Sequence, residues 1–210
     1  DPESPETGNG RDYTPSAAER VGGQMGGTSC GYWRAGGFQL CSDSMSETAL
    51  TDPFGRRIEY VRVSVTDRCD LRCNYCMPKG FRDFEEPGDW LTFDELERVM
   101  AAFARLGTRR IRLTGGEPLV RRDLPALARR LSVLPGVEDI SLSTNATRLA
   151  RSAAELRAAG IRRINVSLDS LRPEVFKQIT GGKLEKVLGG LMAAKAAGFH
   201  PIKINMVVMA

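Results

Sequence analysis

The chain has 210 residues, of which 41% are hydrophobic and 27% charged, and a formal net charge of +4. This is the composition of an ordinary folded protein, not of a low-complexity one, and no apolar run approaches the roughly 18 residues that a membrane span needs. Lys and Arg are spread along the chain rather than blocked, so charge does not point to nucleic acid. No basic stretch leading into an apolar one opens the chain, so the expected compartment is the cytosol, where thiols stay reduced.

Residues 1–45 are rich in Gly, Ser, Thr, Pro and Glu and show no periodicity, which predicts a disordered or non-native leader with Met45 as a natural start. Cys30 and Cys41 lie there and read as free thiols without a role. From residue 46 to 210 a single core is expected. Ile58 to Thr66 alternates and is β-branched, so it reads as a strand. Thr92 to Leu106 reads as a helix opened by a Thr92–Glu95 capping box and stopped by Gly107. Strands follow at Arg110–Thr114, Asp139–Thr144, Arg163–Leu168 and Ile202–Met209. Helices are expected at Asp123–Leu134, Leu149–Ala159, Pro173–Ile179 and Lys183–Ala197. Leu106-Gly107-Thr108-Arg109-Arg110-Ile111 resembles Ala159-Gly160-Ile161-Arg162-Arg163-Ile164, a weak repeat of helix end, Gly, loop and strand. Strands alternating with helices imply right-handed βαβ units and a parallel sheet.

Parallel strands buried on both faces read as continuous apolar runs, and these do not. Side chains alternate with period two, so Arg62, Ser64 and Thr66 share a face, as do Arg110, Arg112 and Thr114. Ser141 with Ser143, Asn165 with Ser167 and Asp169, and Lys203 with Asn205 continue the pattern, while Val63, Leu113, Leu142, Val166 and Ile204 point the other way. Five strands with one polar face predict an α/β fold curved around a wet interior: a partial, TIM-like (β/α) barrel. The chain ends at Ala210 directly after an apolar strand, which reads as a truncated α/β unit after about five strands.

Three of the five cysteines form Cys69-Asp70-Leu71-Arg72-Cys73-Asn74-Tyr75-Cys76, directly after the first strand. In barrels of this kind the loops at the C-terminal strand ends build the site. Thiolates spaced CxxxCxxC can ligate three irons of a [4Fe–4S] cluster and would leave the fourth open, as a catalytic centre requires. The alternative is a zinc site, which wants four ligands. No fourth Cys stands nearby, and His200, the single histidine, reads as a loop residue. After the second strand comes Thr114-Gly115-Gly116-Glu117-Pro118, a tight turn or a loop whose glycines admit a ligand. Asn145 ends the third strand as a turn residue or as a ligand in reach of the same site.

CxxxCxxC with Tyr75 before its last Cys resembles the radical S-adenosylmethionine (SAM) superfamily. That resemblance implies Cys69, Cys73 and Cys76 on the cluster, with SAM on the open iron and cleaved to a 5′-deoxyadenosyl radical. It also implies contacts to SAM from Tyr75, Gly116, Glu117 and Ser167. Asp52-Pro53-Phe54-Gly55-Arg56, Thr66-Asp67-Arg68-Cys69, Cys76-Met77-Pro78 and Ile111 to Leu119 resemble one family within it, the GTP 3′,8-cyclases of molybdenum cofactor biosynthesis. Here the resemblance implies GTP as substrate, with Arg62, Arg112, Ser143 and Lys203 on it, and abstraction of its 3′ hydrogen to give a cyclic dihydroguanosine triphosphate. Implied partners are a cyclic pyranopterin monophosphate synthase downstream and a reductant such as a flavodoxin. That family carries a second [4Fe–4S] cluster on three more cysteines in a C-terminal region, so this chain reads as an N-terminal part that binds a cluster and SAM without cyclising GTP. Two readings compete: another radical SAM enzyme, such as a peptide-modifying maturase, and a non-catalytic metal-binding module.

Overall fold

A computed structural model describes residues 49–77, 80–84 and 87–208. The expected leader, with Cys30 and Cys41, lies outside the described residues, as does Pro78 of the Cys-Met-Pro motif. Five strands form where apolar and polar residues alternate: β1 (Tyr60–Ser64), β2 (Arg110–Thr114), β3 (Asp139–Thr144), β4 (Ile161–Ser167) and β5 (Ile202–Asn205). They pair in parallel and in sequence order. Between them run α1 (Phe93–Arg105), α2 (Leu124–Ser132), α3 (Ala153–Ala158), α4 (Pro173–Thr180) and α5 (Leu184–Ala196). Sequential parallel strands linked by helices form part of a TIM-like barrel, as the alternation foretells.

The core lies between one sheet face and the helices. Val63, Ile111, Leu113, Ile140, Leu142, Ile164 and Val166 are buried there with Leu96, Met100, Leu127, Leu131, Leu156 and Val187 from the helices. Burying a side chain of this size contributes about 1.5–3 kcal/mol each. The opposite face carries the polar set in register: Arg62 beside Arg112, Arg112 beside Ser141, Ser143 beside Asn165 and Asn165 beside Lys203.

Local chemistry explains where elements start and stop. Thr92 accepts from the Glu95 N–H, and the Glu95 carboxylate accepts from the Thr92 N–H, so the expected capping box opens α1. The helix expected over Leu149–Ala159 is broken: a single tight turn at Leu149–Arg151 precedes α3, because Ser152 leaves helical geometry at φ −125°. β4 begins two residues earlier than its alternation suggests. A register shift opposite Ile140 and Ser141 leaves Arg162 as an extra residue, so Ile161 and Ile164 both face the core and Arg163 lies beside Ser141. The last strand stops at Asn205, short of the expected span. Ile204 on β5 remains 50% exposed, since no described helix follows that strand.

Helix α5 packs closely over the loop after β3, and two adjacent glycines show how closely. A Cβ on Gly190 would collide with the Ala146 carbonyl, whereas one on Gly189 meets open space. Gly189→Ala is therefore expected to stabilise the fold by about 0.8 kcal/mol through helix propensity. Gly190→Ala is expected to cost about 1–3 kcal/mol through overpacking. Urea unfolding of both variants tests this, and equal effects at the two positions would refute the close packing.

Candidate functional site

The loops at the C-terminal ends of β1, β2 and β3 meet in one network. The cysteine loop after β1 is tied on two sides by backbone hydrogen bonds. Gly116 and Glu117 donate their N–H groups to the carbonyls of Thr66 and Arg68, both at 2.8 Å. On the other side Arg72 donates to Thr180 at 2.8 Å and Asn74 to Ile179 at 2.9 Å, at the end of α4. The Gly115-Gly116 pair makes the first tie possible, because a Cβ on either would strike the backbone of residues 66 to 68. Within the loop, Cys76 and Met77 donate to the Cys73 carbonyl at 3.0 and 3.1 Å. This single turn carries Cys73 and Cys76 three residues apart, the spacing that puts two side chains on one face.

Cys69 and Cys73 are half-buried and Cys76 is exposed. Burial pushes the Cys73 thiol up to about 11, and the neighbouring Cys69, Asp169 and Cys76 push the same way against a hydrogen bond with Tyr75. Cys69 is raised as well, chiefly by burial. The three thiols therefore lie in one neighbourhood. Among the described residues, however, no three His, Cys, Asp or Glu side chains gather closely enough to hold a single metal ion.

Glu117 lies at the centre of the network. It is fully buried. Its carboxylate accepts from the Thr144 hydroxyl at 2.7 Å, the Asn145 N–H at 2.6 Å and the Leu119 N–H at 3.1 Å. Three protein donors thus engage this carboxylate from its own loop and from the end of β3. Gly116 by contrast is exposed, and so is Ser167 at the end of β4. Tyr75 is 42% exposed and donates its hydroxyl to Asp169 at 2.7 Å. Asp169 also accepts from the Val207 N–H at 3.0 Å, so it joins the cysteine loop to the segment after β5.

Asp70, inside the cysteine motif, has a role its sequence context does not reveal. It accepts from the Asn145 amide at 2.9 Å, the Thr147 hydroxyl at 2.7 Å and Arg148 at 3.2 Å. These bonds hold its carboxyl below the usual range in spite of its partial burial. No local signal could have found them, since the partners lie more than seventy residues away.

Below the loops, the polar sheet face is basic. Arg163 pairs with Asp139 and Arg110 with Glu59. Arg112 donates to the Ser141 hydroxyl at 3.2 Å and lies 5.3 Å over the Tyr60 ring. Among the described residues no carboxylate forms an ion pair with Arg62, Arg112 or Lys203. Arg62 and Arg112 stand side by side, and Lys203 stands with Asn165 and Ser143 on the adjoining rung.

The Radical SAM superfamily pattern matches residues 63–210. The chain belongs to the radical SAM superfamily. It is 53% identical over 163 residues to the GTP 3′,8-cyclase of Hydrogenovibrio crunogenus, which is 77% of this chain and 49% of that protein. It is 50% identical over 161 residues to the GTP 3′,8-cyclase of Geobacter sulfurreducens, covering 76% of this chain and 49% of that one. The chain thus spans about half the length of the curated relatives it matches. Among solved structures, Streptococcus suis SuiB bound to the precursor peptide SuiA matches with a TM-score of 0.61 at 20% identity, over 72% of this chain and 33% of that one. HydG, a maturase of the [FeFe]-hydrogenase, matches with a TM-score of 0.58 at 14% identity, over 70% and 34%. Both likenesses concern the radical SAM fold alone. Among the described residues no helix is long and apolar enough to cross a membrane.

Burial raises the Glu117 carboxyl from its ordinary 4.5 to about 7, against its three donors. Over that window the folded chain holds a proton that the unfolded chain has released. The group's contribution to stability is therefore greatest below its unfolded value and is lost as pH rises through about 7. Between pH 4 and 8 the stability of the wild type relative to Glu117→Gln is expected to fall by about 3 kcal/mol. Urea unfolding across that range checks it. A pH-independent difference would mean that the three donors keep the carboxylate ionised throughout.

Proposed function

We propose that this chain carries the SAM-cleaving half of a GTP 3′,8-cyclase of molybdenum cofactor biosynthesis. Cys69, Cys73 and Cys76 would hold the [4Fe–4S] cluster, and SAM would occupy the mouth of the barrel above it. One observation carries the reading: three neighbouring thiols stand at the C-terminal edge of a sheet whose polar face presents Arg62, Arg112 and Lys203 without carboxylate partners. Identity of about half the residues to two GTP 3′,8-cyclases supports the choice of GTP over other substrates of the superfamily.

When bound, the cluster and SAM supply one-electron, hydrogen-abstracting chemistry that no side chain can provide. The chain's own residues orient the reactants. Gly116 and Ser167 are exposed, which leaves them free to contact SAM in this reading. Tyr75 is fixed against Asp169 and closes the side of the cysteine loop. Glu117 acts from behind, holding the loop after β3 against the loop after β2. Arg62 and Arg112 are suited to phosphate oxygens because a guanidinium offers paired donors, and Lys203 adds a point charge. The Ser143 hydroxyl adds a neutral donor on the Lys203 rung. In this reading the triphosphate would lie along the basic face and the ribose toward the loops, and the whole enzyme, of which this chain is about half, would take the 3′ hydrogen of GTP and form the cyclic dihydroguanosine triphosphate. A flavodoxin-like reductant upstream and a cyclic pyranopterin monophosphate synthase downstream complete the proposal.

Anaerobic reconstitution with iron and sulfide is expected to load about four of each per chain, as a [4Fe–4S] cluster requires. The reduced cluster should give an EPR signal that changes on adding SAM. GTP binding should weaken by about tenfold in Arg112→Ala, the loss of a charged hydrogen-bonding partner. A zinc-loaded protein, or a cluster blind to SAM, would sink the reading. GTP affinity unchanged by Arg112→Ala would remove GTP from it and leave the superfamily chemistry standing.

A further inference from the structure

The loop after β3 contains an amide for which the proposed function has no use, and it is held with unusual completeness. Asn145 is 8% exposed. Its side-chain oxygen accepts from the Thr147 N–H at 2.9 Å and the Thr147 hydroxyl at 2.7 Å. Its backbone N–H is bound by Glu117 at 2.6 Å. Its side-chain nitrogen donates to Asp70 at 2.9 Å and lies 3.8 Å from the Cys69 sulfur. An amide has one acceptor end and one donor end. With Thr147 on the oxygen, the ring of partners leaves only one orientation, in which the NH2 group faces Asp70 and Cys69. One N–H serves the carboxylate, and the other is directed at the sulfur. The Leu71 N–H approaches the same sulfur at 3.4 Å, so Cys69 faces two donors.

Hydrogen bonds to ligating sulfurs stabilise the more negative, reduced state of an iron–sulfur cluster, and so raise its reduction potential. We propose that Asn145 is a positioning residue that raises the reduction potential of the cluster by donating a hydrogen bond to the Cys69 sulfur. Asp70 and Glu117 act through it: one grips the amide, the other the backbone. This inference rests on the reading of Cys69 as a cluster ligand. It adds a role for Asn145 that needs neither SAM nor GTP. Asparagine suits the task because it is neutral, so it supplies the N–H without altering the net charge beside the cluster. Aspartate at this position would present an oxygen to the sulfur and an extra charge to Asp70.

The test is a dithionite titration of the reconstituted 210-residue chain, followed by EPR, for wild type, Asn145→Ala and Asn145→Ser. Serine is included because its hydroxyl can keep the turn to Thr147 but is too short to reach the sulfur. Both variants leave net charge unchanged. At matched iron and sulfide content, the midpoints of both are expected to shift to more negative potential than wild type. Unchanged or more positive midpoints overturn the proposal. Loss of the cluster from both variants, with far-UV circular dichroism preserved, also overturns it and assigns Asn145 to cluster assembly instead. A wild-type chain that takes up no cluster refutes the underlying ligand assignment, an outcome seen before any variant is compared.

Discussion

The arrangement of the site depends on one buried carboxylate. Glu117 leaves water completely, which is costly for an ionisable group unless hydrogen bonds replace its hydration. The donors that replace it come from its own loop and from the end of β3. Because the carboxylate must be satisfied, the loop after β2 cannot move away from the loop after β3. The backbone beside it is bonded to residues 66 and 68, so the cysteine loop is included in the same assembly. Asp70 closes the circuit from the cysteine loop back to Asn145, Thr147 and Arg148. Three loops from three strands thus form one rigid rim around two carboxylates.

The sheet beneath divides the labour between its faces. The apolar face is sealed by helices, and the fold's stability resides there. The polar face can carry uncompensated charge only because it borders a water-accessible interior. Arg112 illustrates the balance. It lies within a strand, yet its guanidinium is steadied by a serine hydroxyl and an aromatic ring rather than by a carboxylate. A cation stabilised by neutral groups keeps its charge available to an anion, whereas Arg163, paired with Asp139, does not. The difference separates candidate phosphate ligands from structural cations on the same face.

Much of this was legible in the sequence where the deciding physics is local. Period-two alternation located the polar face. The Thr92–Glu95 box and Gly107 bounded α1 because caps act over three or four residues. Arg110–Thr114 and Asp139–Thr144 were read to the residue. The failures share a different cause. Ile161 falls outside the alternation because a bulge at Arg162 inserts a residue, and what decides a bulge is the neighbouring strand. The structural partners of Glu117 were equally invisible, because Thr144 and Asn145 stand twenty-seven and twenty-eight residues on. Asp70 looks like a spacer between cysteines until the loop after β3 is brought against it. Contacts across the barrel mouth leave no periodic trace in the chain.

The cysteine loop is organised by the protein before any metal is considered. Backbone bonds to the β2 loop on one side and to α4 on the other set its path, and Leu71 is buried beneath it. This differs from small metal-dependent domains, in which ligation free energy is folding free energy. Here the fold supplies the loop, and the free energy of ligation is left to act on the thiols. Burial holds Cys69 and Cys73 toward the protonated thiol. Ligation must therefore displace protons, so cluster loading is opposed by acid.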